Sequence, residues 1–292
     1  MHLLFDHITE DLVPVPAEKG ISVSVLRLDK IHPVISGNKW FKLRYYLQEA
    51  GEQHKKRIIT FGGAWSNHIV ATAAACKING FVSVGLIRGE EPAVLSPTLL
   101  EAKGYGMEFC FLNRGDYSKK RIPAEWLKDE YYLIHEGGYG EKGAKGAADI
   151  LQYCKTDFTH CCCAVGTGTM MAGLLNAVSP GQKVTGISVM KNNTGLEKNV
   201  RSLLHQDQKE WQIIHDYHFG GYAKHQPELI AFMNEFYDQT KIPSDFVYTA
   251  KLFFAVSDLI KNNFFPPGSK LLIVHSGGLQ GNASLEKGKL IY

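Results

Sequence analysis

Phe158-Thr-His-Cys-Cys-Cys-Ala-Val165-Gly-Thr-Gly-Thr169-Met-Met-Ala-Gly173 is the stretch whose reading decides the fold. Phe158 to Val165 reads as a continuous apolar run, the pattern of a parallel strand covered on both faces. Successive strand side chains point to opposite faces, so Cys161, Cys162 and Cys163 read as small hydrophobes packing both sides. Two glycines and two threonines then turn the chain into a helix over about 169–178. The same alternation continues outward. Strands are predicted at 21–27, with Ile21, Val23 and Val25 on one face, and at 57–61, 81–88, 107–112, 131–135, 184–189, 211–217 and 270–275. Helices are predicted at 39–50, with Gly51 as the stop, from Ser66 or Asn67 to about 79, and near 195–206, 227–240 and 250–262. Strand–helix alternation predicts an α/β fold with parallel sheets. The chain has no fixed-period repeat and no low-complexity linker, so a second domain has to be an insertion, entered near 51–54 and left near 155–157.

Composition narrows the function classes. Of 292 residues, 45% are hydrophobic and 21% charged, which excludes a disordered chain, a collagen-like fibre and a disulfide miniprotein. Lys plus Arg is 32 against 29 for Asp plus Glu, and the triplets Lys55-Lys56-Arg57 and Lys119-Lys120-Arg121 are short, so no nucleic-acid partner is expected. Residues 158–182 carry no formal charge, but Gly166, Gly168, Asn176 and Pro180 interrupt them, and no membrane span is expected. Asp6, Glu10 and Asp11 break any apolar leader, which points to a cytoplasmic protein. Six cysteines without a C-x-x-C pair point to free thiols in a reducing compartment. His160 and Cys162 share one strand face but supply two ligands at most, so no metal is expected.

Three loops place polar groups at strand carboxyl ends or helix amino ends, where α/β proteins bind ligands. Gly166-Thr167-Gly168-Thr169 offers backbone N–H groups, hydroxyls and a helix dipole to an anion. No Gly-Lys-Ser/Thr follows, the glycine spacing misses G-x-G-x-x-G, and the next strand ends in Met190-Lys191 instead of an acid, which disfavours nucleotide and dinucleotide alike. Lys39 and Lys42 lie at i and i+3 in a helical first turn, where mutual repulsion is expected to lower one pKa and free a nucleophilic amine. Gly62-Gly63-Ala-Trp-Ser66-Asn67-His68 begins a third helix whose N–H groups suit a carboxylate. Taken singly, each loop also fits a plain structural reading: a tight turn, a solvated lysine pair, an ordinary helix cap. A reactive lysine, a phosphate cradle and a carboxylate site together are what pyridoxal phosphate chemistry on an amino acid requires.

From about Ile31 to Gly281 the chain resembles the 1-aminocyclopropane-1-carboxylate deaminase and D-cysteine desulfhydrase family of tryptophan-synthase β-type (fold type II) pyridoxal phosphate enzymes. The resemblance rests on six motifs in order: Gly37-Asn38-Lys39 with Lys42-Leu43, Phe61 to His68, Gly137-Gly138 with Gly143-Ala144-Lys145-Gly146, Ala164 to Gly173, Ser244 to Lys251 and His275-Ser-Gly-Gly278. It implies an open, twisted, parallel-sheet fold of two domains, a large one from 1–52 with 156–292 and a small inserted one, 53–155, carrying the substrate loop. It implies that Lys39 is the Schiff-base lysine and exchanges protons at the substrate α-carbon. Lys42 and the amides and hydroxyls of Gly166, Thr167, Gly168 and Thr169 would hold the phosphate, and a carboxylate placed at 168 would face it. Asn67 would bind the cofactor's 3′-oxygen, Ser66 the substrate carboxylate or a transferring proton, and His68 the substrate. Tyr222 and Tyr248 match two active-site tyrosines of the family. Thr249 would face the ring nitrogen, where cyclopropane deaminases have Glu and desulfhydrases Thr. His275, a strand-end histidine, is left out of catalysis. The expected activity converts a small amino acid to a 2-oxo acid and ammonia. D-cysteine, giving pyruvate, sulfide and ammonia, is preferred over the cyclopropane amino acid, giving 2-oxobutanoate and ammonia; a degenerate cofactor-binding protein is the non-enzymatic alternative. A homodimer is usual for the family.

Overall fold

The computed structural model describes residues 3–15, 20–127, 130–206 and 210–292. In chain order its strands are β1 (Glu10–Val13), β2 (Ser22–Arg27), β3 (Arg57–Gly62), β4 (Val82–Arg88), β5 (Glu108–Leu112), β6 (Tyr131–Ile134), β7 (His160–Val165), β8 (Lys183–Ser188), β9 (Trp211–Ile214) and β10 (Lys270–His275). The helices are α1 (Asn38–Glu52), α2 (Asn67–Asn79), α3 (Pro97–Gly104), α4 (Arg114–Ser118), α5 (Glu141–Ala148), α6 (Thr169–Ala177), α7 (Leu196–Arg201), α8 (Pro227–Thr240) and α9 (Thr249–Lys261), with short 3-10 turns between.

Two sheets result. One runs β1-β2-β10-β7-β8-β9, parallel except for the antiparallel edge strand β1; the other runs β5-β4-β3-β6, all parallel. Every residue of β7 is buried, and its cysteines divide as the alternation predicts. Cys162 packs with Val23, Val25 and Ile273 under Phe253 and Val256 of α9, whereas Cys161 and Cys163 face Met171 and Leu174 of α6. All six cysteines are free, and burial pushes the Cys162 thiol up to about 12, so these thiols behave as packing groups.

α1 joins the two layers. Phe41 enters the core beneath the six-stranded sheet, while Leu43 and Leu47 pack with Ile58, Ile87 and the alanines of α2. α2 is buried on every side from Asn67 to Cys76, as expected of a helix with no polar stripe. α5 is built from small residues because backbones meet there: a Cβ on Gly146 would stand 1.8 Å from the Phe41 carbonyl oxygen, and one on Gly173 of α6 2.4 Å from that of Ala144.

Several boundaries differ from the sequence reading. Gly51 lies inside α1, which runs to Glu52, and His54 makes the reversal with a φ of 54°. β8 stops at Ser188. α7 ends at Arg201 instead of continuing to 206, because the N–H groups of Leu203 and Leu204 bond to carbonyls only three residues back, the tighter pattern that closes a helix. β9 keeps only Trp211–Ile214, paired on one side with β8. Among the described residues no helix is long and apolar enough to cross a membrane, and no group of three or more His, Cys, Asp or Glu side chains could hold a metal.

Candidate active site

The carboxyl ends of β3 and β6 meet those of β7 and β10, and all the polar loops singled out in the sequence gather at that seam. Gly37 begins it. Its φ is 63°, and a Cβ there would stand 1.9 Å from the Ser276 carbonyl oxygen, so only glycine lets this loop lie on the turn after β10. Asn38 N–H donates to that same oxygen at 3.2 Å. The interlock starts α1 and puts Lys39 in its first turn, with Nζ donating to Asn38 Oδ1 at 2.8 Å and standing 5.8 Å from the centre of the Tyr248 ring.

Burial pulls the Lys39 amine down to about 8, against a partial pull upward from Asp245. Lys42 lies well below its ordinary value, first from burial and second from the charge of Lys39. The sequence reading named mutual repulsion as the cause; desolvation comes first for both lysines.

The Gly166–Thr169 loop carries the sharpest steric requirements. Gly137, at φ 67°, would place a Cβ 2.8 Å from Thr167 Cγ2, and one on Gly143 would lie 1.9 Å from the Gly138 oxygen and 2.9 Å from Thr169 Cγ2. Gly138 approaches the Lys42 stem in the same way. The Thr167 and Thr169 hydroxyls bond each other at 2.9 Å beside the first turn of α6, whose leading N–H groups have no carbonyl a turn earlier. Gly168 departs from expectation. At φ 88° its Cβ would point at Val200 Cγ2 of α7, 2.9 Å away, so a side chain there strikes α7 instead of facing an anion. Gly166 faces the site, its Cβ position 3.3 Å from the Tyr248 ring.

Opposite lies the start of α2. Ser66 occupies the N-cap position, yet its side chain makes no capping bond. Asn67 Nδ2 donates to the Gly278 carbonyl at 3.2 Å, tying the two sheets together, and its Oδ1 is buried without a partner. Thr60 spends its hydroxyl proton on the Ile134 carbonyl at 2.8 Å and so accepts from His68 Nε2, also at 2.8 Å, which leaves His68 Nδ1 as a buried, unpartnered acceptor. Burial, then Lys42 and Lys39, hold His68 neutral.

Tyr248 and Tyr222 form the far wall, ring centres 5.9 Å apart and steeply inclined, with Tyr222 42% exposed. Burial raises both phenols. Thr249 is fully buried; it accepts from the Asp245 N–H at 2.7 Å and donates its only proton to Asp245 Oδ1 at 2.8 Å. The hydroxyl therefore reaches a ring nitrogen only by giving up that bond, and Glu at 249 would set a second carboxylate against Asp245. His275 is anchored as expected, Nε2 on the Pro243 carbonyl at 2.7 Å.

Two participants escaped the sequence reading. Asp245 accepts from the N–H groups of Val247, Tyr248 and Thr249, organising the start of α9. Lys251, buried and drawn down to about 8 by burial, donates to the carbonyls of His218 at 2.8 Å and Gly221 at 2.7 Å, pinning the loop that carries Tyr222. Both lie in the Ser244–Lys251 motif, but the sequence reading gave neither a role; the Asp three residues before Tyr248 was the available signal for the first.

The residues present fit pyridoxal phosphate: an anion cradle that Cβ atoms would fill, an amine of lowered pKa above a tyrosine ring and, across from it, Asn67, whose Oδ1 is a buried acceptor without a partner. Comparison agrees. Residues 11–277 match the family model described as pyridoxal-phosphate dependent enzyme. A Pyrococcus abyssi protein named for 1-aminocyclopropane-1-carboxylate deaminase is 30% identical, over 91% of this chain and 87% of its own. The mitochondrial bifunctional D-cysteine desulfhydrase/1-aminocyclopropane-1-carboxylate deaminase of Arabidopsis thaliana is 28% identical, over 90% of this chain and 73% of its own. A solved structure described as an ACC deaminase homologue superposes with a TM-score of 0.80 at 26% identity, covering 94% of this chain and 90% of that one. This chain therefore belongs to the pyridoxal phosphate-dependent enzymes, among the relatives named for 1-aminocyclopropane-1-carboxylate deaminase and D-cysteine desulfhydrase.

Proposed function

We propose that the protein converts D-cysteine to pyruvate, sulfide and ammonia. Pyridoxal phosphate, when bound, supplies the electron sink for charge at the substrate α-carbon. Lys42, the first-turn N–H groups of α6 and the hydroxyls of Thr167 and Thr169 hold its phosphate. Lys39, with a pKa near 8, attaches to the cofactor and moves the α-proton. Ser66 and Asn67, at the uncapped start of α2, take the substrate carboxylate, and Asn67 also bonds the cofactor's 3′-oxygen. His68 Nδ1 accepts from the bound substrate, and Tyr222 and Tyr248 orient its side chain from the far wall.

Thr249 carries the choice of substrate: it is neutral, buried and already committed to Asp245. Where cyclopropane deaminases resemble one another in having Glu, this residue adds neither a charge nor a free proton, so the ring nitrogen is left weakly supported. Expelling thiolate, a good leaving group, tolerates a weaker sink than breaking a carbon–carbon bond. The alternative, cyclopropane opening to 2-oxobutanoate and ammonia, is favoured by the name of the Pyrococcus relative. To the same reading belong the division into 1–52 with 156–292 and an inserted 53–155, a homodimer, and work in the reducing cytoplasm. The test is turnover by the cofactor-loaded protein on D-cysteine, L-cysteine and the cyclopropane amino acid, following sulfide and 2-oxo acid. D-cysteine is expected to give the highest kcat/KM, and comparable values on the cyclopropane substrate overturn the reading.

A further inference from the structure

β4 lies beside β3 with Ile87 opposite Gly62, so Arg88 is delivered to the edge that carries the Gly62–Ser66 loop. Its Nη2 is 4.0 Å from where a Cβ on Gly63 would stand, and its guanidinium carbon is 6.0 Å from the centre of the Tyr117 ring. Lys120 and Glu136 complete this cluster. The Tyr117 hydroxyl donates to Glu136 Oε1 at 2.7 Å, and Lys120 Nζ binds Glu136 Oε2 while resting 4.0 Å from the Tyr117 ring centre. The one carboxylate of the cluster is thus already held by two donors. Arg88 has no hydrogen-bonded or carboxylate partner among the described residues.

The cluster opens on the site. Burial raises the Tyr222 phenol and its hydrogen bond with Tyr248 lowers it, and among the nearby charges Glu136 raises it and Arg88 lowers it, in keeping with a cluster that lies beside this wall of the cleft. Trp65, on the loop beside Arg88, is 45% exposed and gives this mouth an apolar flank. Arg88 is exposed at the end of β4 and has no acid partner among the described residues, so its guanidinium is available to an anion that enters beside the Gly62–Ser66 loop.

We propose that Arg88 is a specificity-determining residue: it receives a second anionic group, carried on the substrate's side chain, while Ser66 and Asn67 hold the α-carboxylate. The substrate class then extends from small neutral amino acids to those with a carboxylate or similar anion beyond the β-carbon. The inference rests on the placement of the α-carboxylate given under Proposed function, and not on which leaving group departs.

The test reads binding instead of turnover. The cofactor-loaded protein is titrated with aspartate against asparagine and glutamate against glutamine, in both enantiomers, following the change in its visible spectrum. Each pair differs in charge and hardly in shape. The acid is expected to bind about tenfold more tightly than its amide, with a preference that shrinks as salt rises. That ratio falls toward one in Arg88→Gln and is partly retained in Arg88→Lys. Equal affinity for acid and amide, or a preference that survives Arg88→Gln, overturns the proposal. Absence of sulfide release from D-cysteine would sink the proposed activity and leave this one standing. Absence of any spectral response, to alanine as well, overturns both.

Discussion

Lys39 sits where burial disfavours its charged form, and on the proposed function that sets the pH at which it attaches the cofactor. With its pKa near 8, the neutral fraction grows about tenfold per pH unit below that value and levels off above it. Cofactor attachment to the apoprotein, followed by the rise of the visible band, is therefore expected to speed up with pH, to reach half its maximum near pH 8 and to level off about one unit above. Borohydride reduction and peptide mapping should find the pyridoxyl group on Lys39; finding it on Lys42 would refute the assignment. Gly166 offers the complementary test. Its Cβ position faces Tyr248, so Gly166→Asp sets a carboxylate in the anion cradle. Cofactor affinity should drop at least about a hundredfold by equilibrium dialysis, with the far-ultraviolet circular dichroism unchanged. The motif residues were legible in the sequence because glycines, lysines and caps announce themselves locally. The direction of Gly168 was not, because a backbone φ of 88° aims its missing side chain at α7.

Elements carry the site by holding one another, and the 218–223 loop shows how. Phe219, Gly220, Gly221 and Ala223 all take positive φ, a conformation the loop keeps only because something grips it. Lys251 of α9 is that grip, through the carbonyls of His218 and Gly221. Lys251→Met should loosen Tyr222, lowering kcat/KM roughly tenfold while the visible band of bound cofactor persists. It should also cost about 1–3 kcal/mol in denaturant unfolding, from buried carbonyls left unpaired. Strand and helix identity was largely legible from periodicity: α8 and β10 fall where the pattern puts them, whereas α7 and β9 end early. What periodicity cannot express is which loops a side chain will reach, and so the roles of Asp245, Lys251 and Arg88 emerge from helix capping, loop packing and strand register.

Across the whole molecule, three lysines of lowered pKa, Lys39, Lys42 and Lys251, set the pH response of the apoprotein. Lys39 and Lys251 are near 8 when folded, against an ordinary value of 10.5, and Lys42 lies well below its own. Between those values the unfolded chain binds protons that the folded chain does not, so stability rises with pH through that window. From pH 7 to 9.5 Lys39 and Lys251 should each add on the order of 1–2 kcal/mol, seen as a higher urea midpoint, and Lys251→Met should remove part of that gain. The window closes near 10, where Tyr117, Tyr222 and Tyr248, raised by burial, begin to ionise in the unfolded chain first and reverse the slope.

The interlock of Gly37 with Ser276 has a consequence for how the protein is made. β10 is the last strand of the chain, yet it lies between β2 and β7, and the turn that follows it is the surface on which the Lys39 loop rests. Residues 1–269 are therefore synthesised before the Lys39 loop has the surface it rests on. Nascent chains halted before Lys270 should stay colourless when offered the cofactor, and chains released with β10 and its following turn should turn yellow, so acquisition of colour reports that β10 has joined the sheet.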